Sequence, residues 1–216
     1  MNAQDGPAVA RKKATKSAKP ARSASYHHGD LRQALLDVAL ELIAERGADG
    51  FTLREAARRI GVSHSAPYRH FADKDALLLA VAEAGFEELR TRGEDSMRGV
   101  EDARARLRAF GEVYLAFAAE HPARYRVMFG RAFSKPTPAL QRASDGAFEL
   151  LVRAVADVLG VCTADAAHDS AMAIMAGVHG LATLGLDGRF KAEAGRYEHM
   201  CDVTLSLLQR GLEVGL

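Results

Sequence analysis

The 216-residue chain has no tryptophan, two cysteines, six prolines and only 6% aromatic residues. Cys162 and Cys201 stand alone, without zinc-like spacing, which excludes a disulfide scaffold and fits a reducing, cytoplasmic location. Strand-forming runs are missing while Ala, Leu, Arg and Glu dominate, so the expected fold is all-α. No apolar run of secretory-signal length follows the N-terminal charges. Paired carboxylates, a nucleophile–base arrangement and a phosphate loop are lacking as well, so the chain is not expected to be an enzyme. His27, His28, His168, His179 and His199 show no paired spacing, and no metal or other cofactor is expected.

What is present begins with an uneven charge distribution. The net charge of +1 hides six basic side chains against Asp5 alone in residues 1–25, a local +5 on an acidic body of −4. This Ala-, Lys- and Ser-rich arm has little to bury and is expected to be disordered alone; it either contacts phosphates or serves as an inert leader. Ser170 to Leu186 carries no charge over 17 positions, near the lower limit for a membrane span. Its His, Ser, Thr and Gly content suits better a helix buried inside the protein and against a second subunit, with no membrane partner.

The most specific chemistry lies in FTLREAARRIGVSHSAPYRHFADKD, residues 51–75. Thr52 with Glu55 three residues on forms a capping box ahead of an apolar helix carrying Leu53, Ala56, Ala57 and Ile60. Gly61 stops that helix and Ser63 is placed to cap another over residues 64–71. Pro67 would be tolerated in its first turn, where an N–H has no intrahelical partner to lose. His64, Ser65, Ala66, Tyr68 and Arg69 are expected outward and Phe71 inward. Asp73 then caps a longer helix. Residues 52–74 hold five basic side chains (Arg54, Arg58, Arg59, Arg69, Lys74) against two acidic ones, a net +3. Two short helices around a tight turn, with one polar and basic face, suit entry into a DNA major groove.

These residues resemble the N-terminal domain of the tetracycline-repressor (TetR) family of bacterial transcription regulators. The resemblance runs through YHHGDLRQALLDVALELIAERG, FTLREAARRIGVSHSAPYRHF and ADKDALLLAVAEAGF, about sixty residues from Tyr26 to Phe86. It implies that Thr52, Tyr68, His70 and Lys74 touch phosphates. Arg54, His64, Ser65, Ala66 and Arg69 would face base edges, with Ser63 beside them at the turn. The implied organisation is an arm over 1–25, a three-helix DNA-binding domain over 26–75 and a ligand-binding and dimerisation domain over 76–216, roughly nine helices in all.

In the first helix Asp30 is the expected cap, and Leu31, Ala34, Leu35, Val38, Ala39, Leu42 and Ile43 form its apolar stripe before Gly47. A long helix from Ala76 is expected to end in the region of Gly93 to Gly99. Helical spacing then predicts further helices near 100–120, 122–130, 137–160, 163–187 and 194–214. Phe110, Tyr114, Phe117, Tyr125, Met128, Phe129, Phe148, Met172, Met175 and His179 are the candidates for a largely apolar effector cavity with a few polar handles. HPARYRVMFG and GVHGLATLGLDGRF resemble the TetR subgroup with a Trp-His-Gly signature, here Val178-His179-Gly180. The last two helices, with Gly177, Gly180, Gly185, Leu205, Leu208 and Leu212, are expected to form a homodimer seam. The reading is a ligand-responsive repressor on a palindromic operator. The alternatives are an activator, or a helical small-molecule-binding protein or enzyme that does not bind DNA.

Overall fold

The computed structural model describes residues 28–130, 133, 136–190 and 195–213. The basic arm over 1–25, Tyr26 and His27 lie outside the described residues. Eight α-helices and one 3-10 turn follow in order. They are α1 His28–Arg46, α2 Leu53–Ile60, the turn Pro67–Arg69, α3 Lys74–Met97, α4 Ala103–Glu120, α5 Pro122–Gly130, α6 Pro138–Leu159, α7 Ala164–Leu186 and α8 Arg196–Glu213. There is no strand among the described residues, and the all-α expectation holds.

α1 begins two residues ahead of Asp30, the expected cap. Its stripe of Leu31, Leu35, Ala39, Leu42 and Ile43 is buried together with Phe51, Leu53 and Phe71. Full burial of each large side chain contributes roughly 1.5–3 kcal/mol before entropy is counted. Asp73 caps α3 by accepting the Ala76 N–H at 2.8 Å. α3, about 36 Å long at the usual helical rise, is the axis of the molecule. It packs on α1 and also on α4, α5 and α6, while α5 in turn reaches α1. One apolar cluster therefore runs unbroken from Leu31 to Leu205, and a second holds Leu107, Phe110, Leu150, Val155 and Ile174.

α3 ends at Met97, within the region expected from Gly93 to Gly99, but Gly93 itself takes no part in the stop. It lies inside the helix, where an added Cβ would come 2.6 Å from the Phe110 ring. Its missing side chain is what lets α4 approach so closely.

The inner face of α7 (Ala167, Ala171, Ile174, Val178, Leu181, Ala182) is buried against its own chain. The segment Asp165–Leu186 is long and apolar enough to cross a membrane by length and composition, yet that inner face packs on α4, α6 and α8. Its other side is open: Met172 and Leu184 are 49% and 46% exposed, and Leu207 on α8 is 56% exposed. Gly177 and Gly185 face Leu208 and Tyr197 of the same chain, whereas Gly180 meets open space. Leu205 is buried, so the outward apolar stripe of α8 centres on Leu207.

Candidate functional site

The basic and polar face is built on α2. Thr52, in extended backbone, accepts the Glu55 N–H on its side-chain oxygen at 3.2 Å. The Glu55 carboxylate is taken by Arg46 at 2.5 Å, and Glu45 takes Arg59 at 2.7 Å. These pairs clamp the end of α1 to α2, each weakly because solvent screens both partners. Gly61, at φ +82°, ends α2 in the left-handed region that a side chain would strain. Its N–H and that of Val62 return to Ala57.

The next element is not the α-helix expected over residues 64–71. It is a turn leading into the 3-10 turn Pro67–Arg69. The physical reason is Pro67, which has no N–H to give the Ser63 carbonyl. That carbonyl accepts from Ala66 at 3.0 Å instead, and Arg69 and His70 donate to Ala66 and Pro67 at 3.2 and 2.9 Å. Nor does Ser63 act as a side-chain cap: its hydroxyl lies 3.3 Å from that of Ser65. Pro67 and Phe71 are buried, pinning the turn to the core.

Of the set expected outward, His64, Ser65, Tyr68 and Arg69 are exposed, Tyr68 at 49%, and so is Ser63, but Ala66 departs from it. Ala66 and His70 are half-buried. Arg54 and Arg69 are exposed and have no carboxylate partner among the described residues, whereas Arg59 is held by Glu45. Lys74 is engaged within the chain. Its ammonium donates to the Asp49 carbonyl at 3.3 Å and lies 5.6 Å from the Phe51 ring centroid.

The effector half brings some of its expected residues together and separates others. Tyr114 of α4, Tyr125 of α5 and His179 of α7 converge. The two hydroxyls are 3.0 Å apart and lie 2.9 and 2.8 Å from His179 Nδ1. Burial pushes both phenol pKa values up and the imidazole pKa down, so all three groups are neutral near pH 7. Phe129 meets His179 edge to face with ring centroids 4.9 Å apart and packs on Tyr125 with centroids 4.8 Å apart. A cleft of ≈ 210 Å³ opens beside them, lined by Tyr125, Arg126, Phe129, His179, Thr183 and Leu186 among others. Arg126 and Leu186 also line a neighbouring cleft of ≈ 430 Å³ with Phe190 and Tyr197.

Phe117 and Met128 are buried core, and Phe110 and Met175 belong with the second apolar cluster. Phe148 sits elsewhere, 5.4 Å from the His168 ring, and Met172 faces outward, so neither joins the Tyr–His group. Sequence reasoning missed Thr183 and Arg126. Thr183 stands one helical turn after His179, a signal that was available. Arg126 follows Tyr125 on a nine-residue helix whose facing could not be read from so short a pattern.

Comparison with known proteins agrees with both halves. Residues 35–81 match the family model for bacterial regulatory proteins of the tetR family, and residues 107–208 match a tetracyclin repressor-like C-terminal domain. The HTH-type transcriptional activator FasR of Mycolicibacterium smegmatis is 32% identical over 129 residues, which is 56% of this chain and 59% of that protein. The class A tetracycline repressor protein from transposon 1721 of Escherichia coli is 40% identical over 87 residues, 38% of this chain and 39% of the repressor. The chain thus spans less than two thirds of the length of these curated relatives. A solved structure of a Rhodococcus sp. RHA1 protein of unknown function superposes with a TM-score of 0.75 at 32% identity, covering 88% of this chain and 98% of that one. A TetR variant from Acinetobacter baumannii AYE, solved with minocycline, gives 0.63 at 25% identity, covering 88% and 97%. With both of its halves matched in order and its fold shared along the chain, the protein belongs to the tetR family of bacterial regulatory proteins.

Proposed function

We propose that the chain is a homodimeric, sequence-specific DNA-binding transcriptional regulator, a repressor released from a palindromic operator by a small molecule. The observation that carries this is the exposed flank of His64, Ser65, Tyr68 and Arg69, held rigid from behind by buried Pro67 and Phe71. His64 and Arg69 can exchange hydrogen bonds with base edges, and Ala66 can meet a thymine methyl. Arg54 joins them on the base-facing side, while Thr52, Tyr68, His70 and Lys74 address phosphates. Ser63 and Ser65 offer hydroxyls at the turn.

The outward stripe of Met172, Leu184 and Leu207, with Gly180 open beside it, suits closure against a second copy into a four-helix bundle. Two copies of the turn would then enter successive major grooves about 34 Å apart. An effector in the half containing Tyr114, Tyr125 and His179 acts by binding one spacing of these elements better than the other. A DNA partner places the protein in the cytoplasm, and nothing in this mechanism calls for catalysis.

A second reading, transcriptional activation, is favoured by the similarity to the FasR activator. The position of the operator relative to the promoter decides between the two. The test of the reading itself is a gel shift with DNA upstream of the protein's own gene at two salt concentrations. A sequence-dependent, salt-sensitive shift supports it; no shift at either salt contradicts it.

A further inference from the structure

The Tyr114–Tyr125–His179 triangle determines which proton His179 carries. Tyr114 and Tyr125 are almost fully buried, at 2% and 3% exposure, so their hydroxyls must satisfy their hydrogen bonds within this group and with neighbouring Thr183. An imidazole nitrogen is a much better acceptor than a phenol oxygen, and a phenol O–H is a better donor than an imidazole N–H. The strongest arrangement therefore has one tyrosine O–H donating to Nδ1, with the other hydroxyl donating on around the ring of contacts. The proton of the neutral imidazole is left on Nε2. Nδ1 faces the tyrosines and His179 forms part of the ≈ 210 Å³ cleft wall, while Nε2 has no protein partner among the described residues.

Most of the remaining wall is aromatic and aliphatic, from Tyr125, Phe129 and Leu186, and the Thr183 hydroxyl there is already hydrogen-bonded to Tyr125. Arg126 and Asp187 also line the cleft, with opposite charges, and Arg126 is already turned to the Leu186 carbonyl at 3.2 Å. The two charges cancel, and His179 Nε2–H is left as a donor that no protein group among the described residues takes up.

We propose that the cleft takes a neutral, largely apolar molecule bearing a carbonyl oxygen, which accepts a hydrogen bond from His179 Nε2–H. The two tyrosines act as positioning residues by holding that tautomer. This rests on reading the effector half as a small-molecule site.

Two measurements on the full-length protein test it. Long-range ¹H–¹⁵N NMR at about pH 7.5 should find His179 protonated at Nε2 and bare at Nδ1. A proton on Nδ1, or an imidazolium, overturns the proposal. The second measurement titrates acetophenone and ethylbenzene, near-isosteres with and without the carbonyl. The ketone should bind at least about tenfold more tightly, because the unpaired N–H penalises the hydrocarbon. His179→Phe should erase the difference, and His179→Gln, which keeps a donor, should retain part of it. Equal binding, or no binding of either compound, overturns the ligand class. Operator binding by the same samples reports separately on the regulator reading, so the two can fail independently.

Discussion

The Lys74 ammonium lies 3.3 Å from the Asp49 carbonyl oxygen, bridging the start of α3 to the loop between α1 and α2. A residue expected to meet a phosphate is thus also a tie within its own domain. If it does both, Lys74→Ala should weaken binding to every DNA sequence alike and reduce the slope of log affinity against log salt by about one ion. A purely structural tie would lower stability and leave that slope unchanged. Fluorescence anisotropy at several salt concentrations separates the outcomes.

Gly61 turns the chain from α2 into the recognition element at φ +82°. Gly61→Ala should cost about 1–2 kcal/mol through the left-handed backbone alone, since the added Cβ meets nothing within 4 Å. Gly93→Ala should cost about 1–3 kcal/mol by the opposite route, a Cβ 2.6 Å from the Phe110 ring at an ordinary helical φ. Urea denaturation measures both. A neutral result at Gly93 would mean that α3 and α4 are less tightly packed than described.

Leu207→Glu places a charge in the outward stripe of α8, where the wild-type side chain is 56% exposed. The dimeric reading predicts a monomeric variant with helicity close to wild type, measured by analytical ultracentrifugation and circular dichroism. Operator affinity should fall with dimerisation, because half-sites are then bound singly. An unchanged dimer would move the seam away from this stripe.

Burial holds the His179 imidazole below its usual value of 6.5. In the window just below that pH the unfolded chain binds a proton that the folded protein refuses, so stability rises with pH there. The contribution is complete above about pH 6.5 and is lost as pH falls towards the depressed folded value. The groups facing the ring are Tyr114 and Tyr125, both neutral, with Arg126 and Asp187 in the same cleft. The urea midpoint should drop between about pH 7.5 and 5.5, and His179→Gln should shrink that drop. A drop of the same size in the variant would assign it to other groups.

Helical periodicity located the effector-half helices to within three residues, helped on α6 by a long apolar stripe and by the marked caps Thr137 and Gly160. It was weaker where one residue answers to two constraints. Pro67 suits a first helical turn, yet burying its ring and denying Ser63 a donor left a 3-10 turn instead. On α8, Leu205, Leu207, Leu208 and Leu212 are alike in composition, and only packing on Gly111 and Gly177 shows which of them face inward. The Tyr114–Tyr125–His179 meeting joins three helices across 65 positions, a distance over which local pattern carries no pairing information. The residues were legible as an aromatic and polar set, but their partners were not.

The most direct measurement is the base preference of Tyr68→Phe and His64→Ala, read by anisotropy against an operator and its single-base variants. The account predicts that Tyr68→Phe weakens binding on all of them by a similar factor. His64→Ala should instead flatten discrimination at particular positions by about 1–3 kcal/mol while leaving the others unchanged. Uniform losses from both substitutions, or none from either, would show that the face around Pro67 does not read DNA.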